Sequence, residues 1–146
     1  MATNAHKIYR GMDEQVKTIS DKTVAGAYLP GTFVTYSATV FTQATAADQR
    51  VVLLANREFY GQSVDDAYAS GDTGVAYPLV ANEPYIARFA AATYTEGQEL
   101  SVGAAGRLAA AAAGDRVVGF YTGSGVALSA GDLDDFVAAD SYIKPA

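Results

Sequence analysis

The side chains of this 146-residue chain that could act as acids, bases or nucleophiles are few and poorly matched to one another. His6 is the single histidine, and it stands far in sequence from any acidic cluster. Neither a catalytic dyad nor a metal site gathers around it. Asp65-Asp66 and the trio Asp132, Asp134 and Asp135 are the grouped carboxylates. Glycoside hydrolysis needs two carboxyls facing one another across a substrate, whereas adjacent aspartates on an extended strand point to opposite faces. The Asp132-x-Asp134 spacing has the beginning of a calcium loop, but the glycine and terminal Glu of that loop are missing from their proper positions. These carboxylates read as solvated turn residues.

Gly103-Ala104-Ala105-Gly106 and Gly123-Ser124-Gly125 are rich in glycine. A phosphate-cradling loop also needs a following helix N-terminus and, typically, Lys-Ser/Thr. Here the glycines lead into short apolar segments, so they read as hairpin turns. Ser101 and Ser124 have no histidine near them in sequence, and a nucleophilic triad has no support. No catalytic, cofactor-binding or metal-binding residue is assigned. The ten tyrosines, against no tryptophan, are the more informative count. Tyrosine joins a large apolar area to a polar tip and is enriched at interfaces. Tyr9, Tyr60, Tyr68, Tyr94 and Tyr142 stand in polar segments where an interface role competes with a place in the sheet.

The elements that must position these residues are short strands between glycine and proline turns. Pro30-Gly31 makes a turn before Thr32-Phe33-Val34-Thr35-Tyr36, a strand rich in β-branched and aromatic residues. Arg50-Val51-Val52-Leu53-Leu54-Ala55 is an apolar run of strand length, preceded by a loop over residues 44–49. Residues 62–68 fit either a short helix capped by Ser63 or an irregular loop between Gly61 and Gly71. Residues 74–80 read as a strand near an edge, because Pro78 cannot donate to a central ladder. Asn82-Glu83-Pro84 is a turn, and Tyr85-Ile86-Ala87-Arg88-Phe89-Ala90 is a strand.

Three further strands follow, around Tyr94 to Leu100, Gly106 to Ala109 and Val117 to Tyr121. An acidic tail from Ala130 ends in an extended Tyr142-Ile143-Lys144-Pro145. About eight strands with such regular turn signals predict an all-β fold, a small antiparallel sandwich or barrel. Residues 23–146 form one β domain with a C-terminal extended tail. Residues 1–22 form an N-terminal arm, either extended with Ile8, Tyr9 and Met12 as anchors or a turn or two of helix. Removing residues 2–22 is expected to leave the body folded.

Half the residues are hydrophobic, enough for a self-supporting core at this length. The absence of cysteine excludes disulfides and thiolate metal sites. No apolar run suits a signal peptide or a membrane span, so no membrane partner is expected. A net charge of −6 argues against nucleic acid as a partner. The charge is uneven: the arm carries four basic and three acidic side chains, the remainder six basic and thirteen acidic. A basic arm on an acidic body suits an acidic partner surface or a neighbouring copy.

With strands and turns in place, the chain resembles the capsid decoration, or cement, proteins of tailed bacteriophages. The resemblance runs over about residues 26–121. It is carried by Leu29-Pro30-Gly31-Thr32-Phe33-Val34, Tyr94-Thr95-Glu96-Gly97-Gln98-Glu99-Leu100, Gly106-Arg107-Leu108 and Val118-Gly119-Phe120. Residues 62–72 have no clear counterpart in that pattern. The resemblance implies a sandwich or jelly-roll-like body on the outer surface of the virion capsid, made in the host cytoplasm. Its partners would be the major capsid protein and copies of itself, as a dimer or trimer, with no cofactor. Under it the capsid-contact candidates are Lys7, Ile8, Tyr9, Arg10 and Met12 in the arm, then Tyr142 and Ile143 at the other end. A virion fibre or host-surface carbohydrate-binding module, using Tyr60 with Tyr68, is the alternative.

Overall fold

The computed structural model describes Ile8 and residues 17–46 and 50–146. Five strands close into a small barrel: β1 (Ile19–Val24), β2 (Phe33–Tyr36), β3 (Val40–Gln43), β4 (Val51–Ala55) and β5 (Thr73–Tyr77). Their order is β1-β3-β2-β4-β5, and β5 returns to β1. Every pairing is antiparallel except β1 with β3. The second sheet holds β6 (Pro84–Arg88), β7 (Glu99–Val102), β8 (Leu108–Ala110), β9 (Arg116–Tyr121) and β10 (Leu133–Ile143) in the order β6-β10-β9-β7-β8. This sheet also curls toward closure: Phe89, just past β6, bridges Leu108 on β8, and the Ala90 amide donates to the Leu108 carbonyl at 2.8 Å. Curling pairs backbone groups that an open edge would leave exposed. The all-β class therefore stands, with a closed barrel and a curled sheet packed together.

The apolar run at residues 51–55 is explained by burial on both faces. Val52 and Leu54 point into the barrel with Val24, Val34, Phe41 and Ala76. Leu53 and Ala55 point outward, into a core shared with Phe33, Leu100, Leu108, Val118 and Phe136. Successive side chains alternate between these two apolar environments, so the usual polar-apolar alternation vanishes. Phe33 and Val34 divide in the same way on β2. The barrel interior is small enough for these side chains to fill, with Tyr68 as the remaining plug.

Several expectations need correction. The body begins at Ile19 and not Thr23, because residues 19–22 already pair with β5. Ile8 is fully buried in the shared core, and its carbonyl accepts the Ile86 amide at 3.0 Å. Removing residues 2–22 is thus expected to open the barrel and abolish cooperative unfolding, a result that circular dichroism on the truncated chain would check. The strand ending at Tyr77 pairs on both sides, so it is no edge, and Pro78 lies just beyond it. Of the two alternatives for residues 62–68, the irregular loop is the one found: they form turns and no helix. The acidic tail is instead the longest strand, β10, in the interior of its sheet between β6 and β9.

One glycine permits the two layers to meet, and another lets β9 lie close against β10 within the second sheet. A Cβ on Gly106 would lie 2.5 Å from the Phe33 carbonyl oxygen, and its φ of +65° also disfavours a side chain. A Cβ on Gly119 would lie 2.6 Å from the Phe136 ring. Gly106→Ala is expected to cost about 3 kcal/mol through strain and forced separation of the layers. Urea denaturation would check it; an unchanged midpoint would show that the β2–β8 approach is soft.

Candidate functional site

Most of the grouped acids are taken up locally. The Asp65 carboxylate lies 3.3 Å from Arg88 Nη2, while Asp66 accepts the Ser63 amide at 3.0 Å. Asp132 accepts the Ser129 amide at 2.8 Å. Asp134 is buried and accepts the Tyr121 hydroxyl at 2.7 Å. The Tyr121 hydroxyl is pushed above its ordinary value by burial first and then by that carboxylate. Asp65 and Asp66 thus serve different local partners and do not face one another across a cleft. Among the described residues no group of three His, Cys, Asp or Glu side chains could hold a metal. His6 lies outside the described residues.

The tyrosines divide sharply. Tyr68, Tyr85, Tyr94 and Tyr121 are fully buried. The Tyr68 hydroxyl donates to the Ala55 carbonyl at 2.5 Å and accepts the Val75 amide at 3.3 Å, closing one end of the barrel. Burial raises its pKa above 10.0. Tyr94 donates to the Ala90 carbonyl at 2.8 Å, and its ring meets Phe89 edge-on at 5.0 Å. Polar neighbours in sequence therefore did not mark Tyr68 and Tyr94 as exposed, because a backbone carbonyl satisfied each of these two hydroxyls. Residues 62–72 gain a role here: they deliver Val64 to the shared core and Tyr68 to the barrel.

Tyr60 behaves differently. It sits with Phe59 on a 3₁₀ turn, Glu58–Tyr60, that leaves the end of β4 and stops at Gly61 in a left-handed conformation. Phe59 is 75% exposed and Tyr60 72%, with ring centroids 4.8 Å apart. Arg57 stacks on both Tyr60 and Tyr68, 5.1 and 4.9 Å from their centroids, and is held by Asp72 at 3.2 Å. This anchored arginine supports the exposed pair from behind. Sequence reading singled out Tyr60 but not Phe59, although the Phe-Tyr step before a glycine was the available signal.

At the other end of β4, a cleft of about 500 Å³ lies between the barrel and the second sheet. The register of β10 opens it: four steps from Ala138 to Tyr142 span two steps of β9, which displaces Ala139, Asp140 and Ser141 from the ladder. Arg50 and Arg116 line the cleft with Tyr36, Leu79, Asp140 and Ser141. Nothing in the local sequence of Arg50 or Arg116 indicated that they would share a cavity.

Of the capsid-contact candidates, Lys7, Tyr9, Arg10 and Met12 lie outside the described residues. Ile8 is committed to this chain's own core. Ile143 is 52% exposed. Tyr142 donates to Glu99 at 2.5 Å, and Lys144 lies 3.3 Å from the same carboxylate, fastening the chain end to β7. The Tyr142 hydroxyl bond, followed by Lys144, holds Glu99 below its ordinary pKa, and Tyr142 is correspondingly raised. Glu99 therefore stabilises the folded state above its unfolded value, 4.5, and that contribution fades as pH falls through the lowered value. The protection factor of amides near Lys144, the measured exchange rate set against the intrinsic rate at the same pH, is expected to fall on acidification. Glu99→Gln should already show low protection at neutral pH, and equal, pH-independent protection factors in both proteins would refute the tie.

Among the described residues no helix is long and apolar enough to cross a membrane. The chain matches no protein-family model and no curated protein.

Proposed function

We propose that this chain is a non-enzymatic structural protein that binds the outer surface of an icosahedral phage head and cements neighbouring capsid subunits. The observation that carries this reading is the convergence of the four segments on which the resemblance rests. Phe33, Tyr94, Leu100, Leu108 and Val118 all enter the shared core, and Gly106 sits directly against Phe33. Segments dispersed over 92 residues, from 29 to 120, thus build one seam between barrel and sheet. This supports a common architecture with cement proteins, and a body locked across two layers suits a load-bearing clamp. Many modest contacts to a repeating shell would add through avidity. The partner would be the major capsid protein.

Co-sedimentation of the full chain with undecorated capsids, over a salt series, tests the reading. Saturable binding at fixed stoichiometry is expected, and loss of binding at every salt concentration would overturn it. Since removing residues 2–22 is expected to open the barrel, the arm is better tested by Lys7→Glu with Arg10→Glu. That pair is expected to weaken shell binding at low salt while leaving the melting temperature unchanged.

The exposed Phe59–Tyr60 pair favours a second reading, a host-surface carbohydrate-binding module. Tyr68 cannot assist it, because that side chain is buried in the barrel. Glycan-array binding without capsid binding would select this reading.

A further inference from the structure

β4 has the cleft at its start and the aromatic pair just beyond its end. Five residues of strand span roughly 17 Å, so the two features face opposite ends of the barrel. The cleft has an apolar floor that includes Val52, Leu79 and Val118, beneath two guanidinium groups. Arg50 donates to the Tyr36 hydroxyl at 2.5 Å and lies 5.1 Å from the centre of that ring. Arg116 donates to Ser141 Oγ at 3.2 Å. Among the described residues neither arginine forms a salt bridge, and Asp140 is the one acidic side chain in the lining. The cleft is therefore apolar below and positive at its rim.

The protrusion has the complementary character. Two aromatic rings, tilted against each other, are largely exposed, and Glu58 stands exposed beside them. Arg57 is drawn back to Asp72, so Glu58 is the charge presented outward. Paired exposed aromatics with an adjoining charge have the composition of an interface centre. A cleft near 500 Å³ falls in the size range that encloses a small ligand, which suits insertion of an aromatic ring. A copy cannot insert its own protrusion into a cleft at the opposite end of the same strand. The matching surface is that of a second copy.

We propose that copies of this chain associate head to tail. Phe59 and Tyr60 of one copy enter the cleft of the next, and Glu58 pairs with the guanidinium groups of Arg50 and Arg116. Such a contact joins two different patches. It is heterologous, and repetition gives a ring where the rotation closes or a filament where it does not. The association is independent of shell binding and is tested without capsids.

Sedimentation velocity of the full chain over a concentration series to about 1 mM, the weak end of specific affinity, is the experiment. The wild-type average mass is expected to rise with concentration. A protrusion variant, Phe59→Ser with Tyr60→Ser, and a cleft variant, Arg50→Glu with Arg116→Glu, should each need about tenfold higher concentration to associate. An equimolar mixture of the two retains one intact protrusion and one intact cleft, so it is expected to form a complex that stops at a dimer. Should the cleft variant melt early, Glu58→Arg replaces it in the self-association series and the mixture is left out. That substitution lies on an exposed residue and should weaken association most at low ionic strength, the deficit shrinking as salt screens the new repulsion. A wild-type chain that stays monomeric, variants that associate as the wild type does, or a mixture sedimenting as two monomers would each overturn the proposal.

Discussion

Phe33→Asp is expected to yield a chain with no cooperative thermal transition. Phe33 is fully buried at the junction between barrel and sheet, with its ring centroid 6.0 Å from that of Phe136. The same residue's carbonyl accepts the Ala44 amide at 3.0 Å, so backbone adjustment there disturbs the strand path. Losing the ring from such a site costs about 3–5 kcal/mol. Burying a carboxyl without a partner adds about 1–3 kcal/mol even after it is neutralised. The sum is comparable to the whole stability of an ordinary domain, about 5–15 kcal/mol. Phe33→Leu supplies the control, since an apolar swap that nearly conserves volume should cost less than about 1.5 kcal/mol. Val118→Asp, at a position 4% exposed in the same core, should behave like Phe33→Asp. A wild-type melting temperature for either aspartate variant would refute the assignment of this seam as the core.

Arg88→Ala is expected to lower the melting temperature by roughly 10 °C. The residue is 7% exposed, and its guanidinium organises three connections that belong to different parts of the fold. Nε donates to the Pro30 carbonyl at 3.0 Å, and Nη1 donates to the Gly131 carbonyl at 3.1 Å. Nη2 donates to the Val64 carbonyl and lies 3.3 Å from Asp65. The barrel's entry turn, the loop that carries Tyr68 and the turn before β10 are thereby fixed to β6. Asp65 is largely solvated, so its attraction contributes little; the carbonyl contacts dominate. Alanine would strand those acceptors in the interior, at about 3–5 kcal/mol for dismantling such a site. In a domain of this size each kcal/mol lowers the midpoint by about 2–4 °C. Arg88→Lys keeps the charge but loses the planar fork, so it should recover only part of the loss. Asp65→Asn should leave the midpoint within about 2 °C. If Arg88→Ala melts like the wild type, the three turns are held by other contacts.

What the sequence revealed depended on how local the cause was. Pro30-Gly31 announced the turn before β2, and the β-branched run after it announced a strand, because both effects act over a few residues. Glycine turns separated β7, β8 and β9 for the same reason. β3 escaped because Val-Phe-Thr-Gln is only four residues long and lies close behind β2 without a glycine or proline to mark the turn. β10 escaped because its acids resembled a solvated tail. The fold instead buries Asp134 against the Tyr121 hydroxyl, a partner from the neighbouring strand.

The chain's own residue pattern thus determined an all-β protein, most of its strands and the turns between them. Only the tertiary structure decided that five strands close into a barrel and that Leu53 and Leu54 enter different cores. It alone set Tyr68 inside and Tyr60 outside. It also brought Arg50 and Arg116 into one cleft and aimed Arg88 at carbonyls 24 to 58 residues away in sequence. The physical reason is the same in each case. Turn and strand preferences are set by neighbouring atoms along the chain, whereas burial, hydroxyl satisfaction and charge placement depend on which distant segment arrives opposite.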